Sequence, residues 1–228
     1  AAGSISRAGL VDATGFTGAT ISTVVRKLID DGLVLETGRT ESTGGKPRVL
    51  LRLDRTSCYA VGVHLDPVGI TYVLTDLTGA IVSRMTRAGA GNEDPAVIVG
   101  RTATQIDFLI DGAGVDRERI LGVGLVSAAN GSHPRQPAMR HWLDFPAKTE
   151  LERTTGLPVV IGNDATAAAL GEYWAGSTDG FPIFAAISMG AHLGAGLLVN
   201  GLPHHGTGGF AGQIGHVCLD IEGPVCWC

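Results

Sequence analysis

Apolar residues recur at helical spacing over 18–31. Ile21, Val24, Val25, Leu28 and Ile29 form one stripe, and Thr20, Ser22, Thr23, Arg26 and Lys27 lie on the other face. Thr17 follows the Gly15-Phe16 turn and can cap this helix, and Gly32 stops it. A shorter helix is predicted over 6–14. Leu33–Thr37 and Arg48–Leu53 then read as strands joined by a Gly/Ser/Thr-rich tip at 38–45. Helix, turn, helix and hairpin is the order of a winged helix-turn-helix.

From Tyr59 the pattern changes. Three strands are predicted at Tyr59–Leu65, Ile70–Thr75 and Ala80–Arg87, then a helix over Asp94–Gly112 and an apolar strand at Ile120–Leu125. Residues 130–141 read as loop. A short helix (Thr149–Thr155), a buried strand (Val159–Ile161) and an Ala-rich helix (Ala165–Trp174) follow. The opening unit then recurs: strand Phe181–Ser188, glycine turn 190–194, strand Ala195–Val199, and an Asn200-Gly201 hairpin turn. Two strand–turn–strand units separated by mixed structure predict the α/β, actin/hexokinase-like (ribonuclease H-like) fold of two lobes. Each lobe of that fold offers one hairpin to nucleotide phosphates. The expected domains are 1–54, 55–175 and 176–228.

Composition narrows the classes. Glycine supplies 34 of 228 residues, yet no Gly-X-Y period accompanies it and 44% of the chain is hydrophobic, which excludes collagen and plain disorder. With 17 Lys/Arg against 22 Asp/Glu the net charge is −5, which excludes a wholly basic nucleic-acid coat. The charge is uneven: no Lys or Arg follows Arg153, so a polyanion would meet the N-terminal part. There is no run long enough to span a bilayer and no basic-then-apolar leader, so the expectation is a cytoplasmic protein with no membrane partner. The chain opens without Met and stops on Cys228 inside a metal-like motif, with one helix fewer than a full winged helix. Both ends therefore read as cut.

Four motifs in order, the winged helix, VVIGNDATAAALGEYWAG (159–176), GFAGQIGH (209–216) and CWC (226–228), make the chain resemble the ROK family (repressors, open reading frames and sugar kinases), in its transcription-factor branch. The resemblance implies that Asn163, Asp164, Gln213 and His216 meet a sugar. In the family's kinases the aspartate of the Asn-Asp pair is the general base, so Asp164 would be catalytic if kinase activity were kept. Asn and Asp also cap helices, so a plain capping role competes. Gln213 stands where the family has Glu, which keeps an acceptor and loses its charge.

The phosphate loops depart from the kinase pattern. His64-Leu65-Asp66-Pro67-Val68 replaces Asp-x-Gly-Gly-Thr, and Gly190-Ala191-His192 replaces Gly-Thr-Gly. Glycines that let backbone N–H groups close on phosphate are lost, and Pro67 has no N–H. ATP and Mg²⁺ are therefore not expected. The resemblance makes His216, Cys226 and Cys228 ligands of a structural zinc whose fourth ligand follows Cys228. On the winged helix, Thr17, Ala19, Thr20, Thr23, Arg26 and Lys27 would face the major groove, and Arg39, Lys46 and Arg48 the phosphates or minor groove.

The reading favoured is a sugar-responsive repressor whose partners are operator DNA and a sugar or sugar-phosphate effector. A homodimer or homotetramer is expected, because one module with a net charge of +1 binds DNA weakly. An ATP-dependent sugar kinase is the alternative, and a purely protein-binding regulator with a vestigial cleft is the third.

Overall fold

The computed structural model describes residues 3–39, 47–128, 142, 144–176, 181–190 and 192–226. They divide into two units, Ala1–Tyr59 with Asp76–Ala80, and Ala60–Thr75 with Ile81–Cys228.

In the first unit, strand β1 (Ile5–Ser6) leads into helix α1 (Arg7–Thr14), capped by the Ser6 side chain, which accepts from the Gly9 N–H at 3.1 Å. Gly15, in the left-handed region at φ 73°, ends it. Helix α2 (Gly18–Asp30) begins with Thr17 accepting from the Thr20 N–H at 3.2 Å. Strands β2 (Val34–Arg39) and β3 (Val49–Leu53) pair antiparallel, and β1 adds to β3 to give the order β1-β3-β2. Ile21, Val25, Val34 and Leu51 form the core, with Leu10, Val11, Leu28 and Ile29 packed at its edge. Val24, expected in the buried stripe, is 49% exposed, because it lies at the rim of the face that Ile21, Val25 and Leu28 define. Strand β1 was not expected: two residues are too few to show a period.

The second unit holds a five-stranded sheet of β4 (Tyr59–His64), β5 (Gly69–Asp76), β6 (Ile81–Ala88), β7 (Ile120–Ser127) and β8 (Val159–Asn163), in the order β6-β5-β4-β7-β8. Alternate residues are buried, Val61 and Val63 on β4 and Ile70, Tyr72 and Leu74 on β5. Helix α3 (Pro95–Gly112), capped by Asp94, buries Ile98, Ile106 and Ile110. Its Thr102 hydroxyl meets the buried Tyr72 hydroxyl at 3.4 Å. Helix α4 (Ala147–Thr155) packs against α3.

Helix α5 (Asp164–Trp174) lies on a second, antiparallel sheet of β9 (Ile183–Met189), β10 (Leu193–Val199) and β11 (Leu202–Pro203). Gly196 on β10 lets helix and strand meet. A Cβ there would overlap the Ala165 carbonyl and come within 2.7 Å of the Ala169 Cβ. The predicted Asn200-Gly201 turn joins β10 to β11 with both residues at positive φ, 51° and 77°. Among the described residues no helix is long and apolar enough to cross a membrane.

Candidate functional site

Strand β8 ends on Asn163 and α5 opens on Asp164, so the pair sits at a strand–helix junction of an open α/β sheet, where such sheets commonly bind ligands. Asn163 Oδ1 accepts from the Thr166 N–H at 2.9 Å and from its hydroxyl at 3.2 Å. That oxygen is therefore a helix cap, which leaves the amide nitrogen as the group to offer a ligand. Beside it is a cavity of about 520 Å³, lined by Asn163, Asp164, Gln213 and His216, and also by Ser188, His192 and His205. All four residues expected to meet a sugar thus face one space. Gln213 and His216 are held there by the 209–216 segment, whose Gly212 carbonyl accepts from the Ala195 N–H of β10 at 2.7 Å.

Asp164 carries the charge of the site. Its Oδ1 accepts from the Ala165 N–H at 2.7 Å, and its Oδ2 lies 3.5 Å from His64 Nε2. Nε2 is shielded from solvent and has no hydrogen-bond partner of good geometry, so the contact is chiefly an ion pair. Burial alone would raise the Asp164 carboxyl. The His64 contact, the Ala165 N–H and the charges of His64 and His192 outweigh burial and hold it below its usual range. The same contact raises the His64 imidazole above its ordinary value. Burial opposes this, and the negative charges of Asp164 and Asp66 add to it.

Two backbone donors of the first expected phosphate loop are engaged elsewhere. The Leu65 N–H donates to the Val126 carbonyl at 2.8 Å, and the Val68 N–H donates to Asp66 Oδ1 at 2.8 Å. In the second loop the Gly190 N–H donates to the His192 carbonyl at 2.9 Å, and Ala191 lies outside the described residues.

Of the expected metal ligands, His216 Nδ1 and Cys226 Sγ lie 3.5 Å apart, with His216 half-buried and Cys226 exposed. Cys228 lies outside the described residues. Among the described residues no group of three or more His, Cys, Asp or Glu is placed to hold a metal.

The ROK family model matches residues 61–228. The chain belongs to the ROK family. It is 32% identical over 229 residues to a putative xylose repressor of Caldicellulosiruptor sp. (strain Rt8B.4), covering 98% of this chain and 57% of that protein. It is 33% identical over 169 residues to a glucokinase of Halalkalibacterium halodurans, covering 72% of this chain and 51% of the kinase. The crystal structure of a ROK family transcriptional regulator, a homologue of the E. coli MLC protein, superposes with a TM-score of 0.74 at 25% identity, over 97% of this chain and 57% of that one. The chain thus spans less than two thirds of the length of each of these relatives.

The ROK match begins at residue 61, after the segment Ala1–Tyr59 that carries the expected DNA-facing residues. Ala19, Thr20, Thr23, Arg26 and Lys27 are all exposed on one side of α2. The hydroxyls there serve the helix itself: Thr17 and Thr20 Oγ1 lie 2.9 Å apart, and Thr23 donates to the Ala19 carbonyl at 3.1 Å. Arg39 and Arg48 are exposed, and Lys46 lies outside the described residues. His64, His192 and His205 stand at the site without a motif that announces them; in the sequence His64 and His192 appear only as departures from the phosphate-loop pattern.

Proposed function

We propose that this chain is the DNA-reading and effector-sensing part of a sugar-responsive transcriptional repressor. The observation that carries the reading is a division within the second unit. The four residues expected to meet a sugar line one cavity, while the Leu65, Val68 and Gly190 N–H groups of the loops expected to hold nucleotide phosphates are bonded within the protein. A cleft of this kind can seat a sugar without phosphorylating it. The similarity to a xylose repressor supports the reading, because it extends over 98% of the chain and so takes in the first unit as well.

In this reading the first unit is a winged helix-turn-helix. The exposed α2 face (Ala19, Thr20, Thr23, Arg26 and Lys27) reads the major groove, and Arg39, Lys46 and Arg48 meet phosphates or the minor groove. Two such units on one operator require a homodimer or homotetramer. The effector acts by binding the DNA-competent and DNA-incompetent conformations unequally.

Zinc fits the donors at the end of the chain. Zn–N of about 2.0 Å and Zn–S of about 2.3 Å at a tetrahedral angle put the two donor atoms about 3.5 Å apart. His216 Nδ1 and Cys226 Sγ have that separation. With Cys228 they would hold a structural zinc, which fixes the His216 ring beside the cavity.

The test is fluorescence anisotropy of the full-length protein on operator-containing and scrambled DNA, with a sugar panel that begins with xylose. Preferential binding released by one sugar is the expected result, and Arg26→Ala should weaken operator binding about tenfold or more. No preference over scrambled DNA refutes the reading. The glucokinase similarity and Asp164 at the cavity wall favour the second reading, a sugar kinase. ADP release from ATP, Mg²⁺ and a hexose, abolished by Asp164→Asn, would establish it.

A further inference from the structure

We propose that His64 is a positioning residue of the effector site. It grips Oδ2 of Asp164, fixes that carboxylate as the acceptor for an effector hydroxyl, and ties effector affinity to pH. The inference rests on the reading of the cavity as a sugar site.

The geometry is specific. Asp164 lines the cavity and His64 does not, so the imidazole stands behind the carboxylate. Nε2 is shielded from solvent and lies 3.5 Å from Oδ2, a charge contact without the alignment of a hydrogen bond. Oδ1 is held at 2.7 Å by the Ala165 N–H. With one oxygen hydrogen-bonded to the backbone and the other beside the imidazole, the carboxylate is restrained on both sides. Its remaining lone pairs are presented in a fixed direction, which lowers the ordering cost of binding. The arrangement comes from the sheet. The Leu65 N–H ties the end of β4 to Val126 of β7, and Ser127 of β7 pairs with Asn163 of β8, so His64 and Asp164 emerge at the same sheet edge.

The charged groups that bear on the pair are Asp66 just after β4, Asp164 on α5 and His192 between β9 and β10. Asp66 supports the protonated imidazole, and His192 supports the ionised carboxylate. A sugar that fills the cavity displaces water and lowers the local dielectric constant, which strengthens the attraction between imidazolium and carboxylate. Bound effector therefore raises the proton affinity of His64 further. By reciprocity the protonated protein binds effector more tightly. Affinity should fall as pH rises through the His64 titration, about tenfold for each unit by which binding moves that titration.

The experiment has two arms on the full-length protein. Imidazole NMR without sugar should place His64 above its ordinary value, and Asp164→Asn should return it toward that value. Calorimetry with a pentose and hexose panel at pH 6 and pH 8.5 should show roughly 3- to 10-fold weaker binding at the higher pH, the span expected if binding moves the titration by about half a unit to one unit. His64→Gln, which keeps a neutral N–H donor near the Nε2 position, should retain binding with a flat pH profile. His64→Ala should bind more weakly at both pH values. An ordinary His64 titration that ignores Asp164→Asn overturns the proposal. So does sugar binding whose pH profile is the same in wild type and His64→Gln, and in that case the sugar site itself stands. If the pair titrates as described and no sugar binds at either pH, the cavity reading falls and the positioning role falls with it.

Discussion

Asn163 is assigned two tasks on two atoms, and substitution can separate them. Its Oδ1 takes two hydrogen bonds from Thr166, at 2.9 and 3.2 Å, while its amide nitrogen is left to meet the effector. Asn163→Ala removes both. Loss of an N-cap costs about 1 kcal/mol, within a range of about 0.5–2, and for a protein of this size that lowers Tm by about 2–4 °C per kcal/mol. Asn163→Ser keeps a capping oxygen of equal standing and adds no charge beside Asp164, so its Tm should stay within about 1 °C of wild type. Both variants lose the amide donor, worth about 0.5–1.5 kcal/mol for a neutral hydrogen bond, or about 2- to 12-fold in effector Kd. Thermal unfolding and calorimetric sugar titration of the three proteins give both quantities. If Asn163→Ser unfolds as early as Asn163→Ala, the cap is not what Oδ1 supplies. If Asn163→Ser binds effector like wild type, the amide does not touch the sugar.

Gly196→Ala places a methyl against the Ala165 carbonyl and the Ala169 Cβ, both backed by α5. It should cost about 1–3 kcal/mol in stability and weaken effector binding by displacing Asp164, and an unchanged Tm would contradict the packing described. Cys226→Ser should abolish stoichiometric zinc, read by elemental analysis, and lower Tm to the value wild type reaches in a strong chelator. Full zinc in the variant would remove Cys226 from the ligand set. The His64–Asp164 pair sets a pH window for stability. His64 is raised from 6.5, so its contribution is complete below 6.5 and is lost as pH climbs through the raised value. Asp164 is lowered from 3.8, so its contribution is present above 3.8 and is lost as pH falls through the lowered value. The Tm difference between wild type and His64→Gln should be largest between about pH 4 and 6.5, and a difference that is constant with pH would count against the ion pair.

Local features were legible in the sequence because local rules make them. The caps Thr17 and Asn163, the helix end at Gly15 and the Asn200-Gly201 turn all follow from residue type and immediate neighbours. The gathering of Asn163, Asp164, Gln213 and His216 was expected only because their motifs resembled those of a family. No periodicity brings residue 213 to residue 164; Gly196 and Gly212 do, by letting backbone approach backbone. The His64 contact was not legible at all. It depends on β7, distant in sequence from both partners, lying between β4 and β8 with their ends aligned. Val24 shows the opposite limit: its helical phase was right, but the width of the buried stripe is set by what packs on it.

In the proposed reading, a weakened phosphate loop and an ionised Asp164 are physically linked at position 64. The kinase-like pattern would put an aspartate there, a shorter and acidic side chain. A carboxylate neighbour raises a carboxyl, whereas an imidazolium neighbour lowers it, so the change of residue reverses the sign of the field that Asp164 feels. With His64 in place, 3.5 Å away, the imidazole contact helps hold the Asp164 carboxyl below its usual range. The loop that follows closes on itself through Asp66 and Val68 and has no N–H at Pro67, so it offers little to a nucleotide. In the proposed reading, histidine at this position thus helps keep Asp164 an ionised acceptor for an effector hydroxyl.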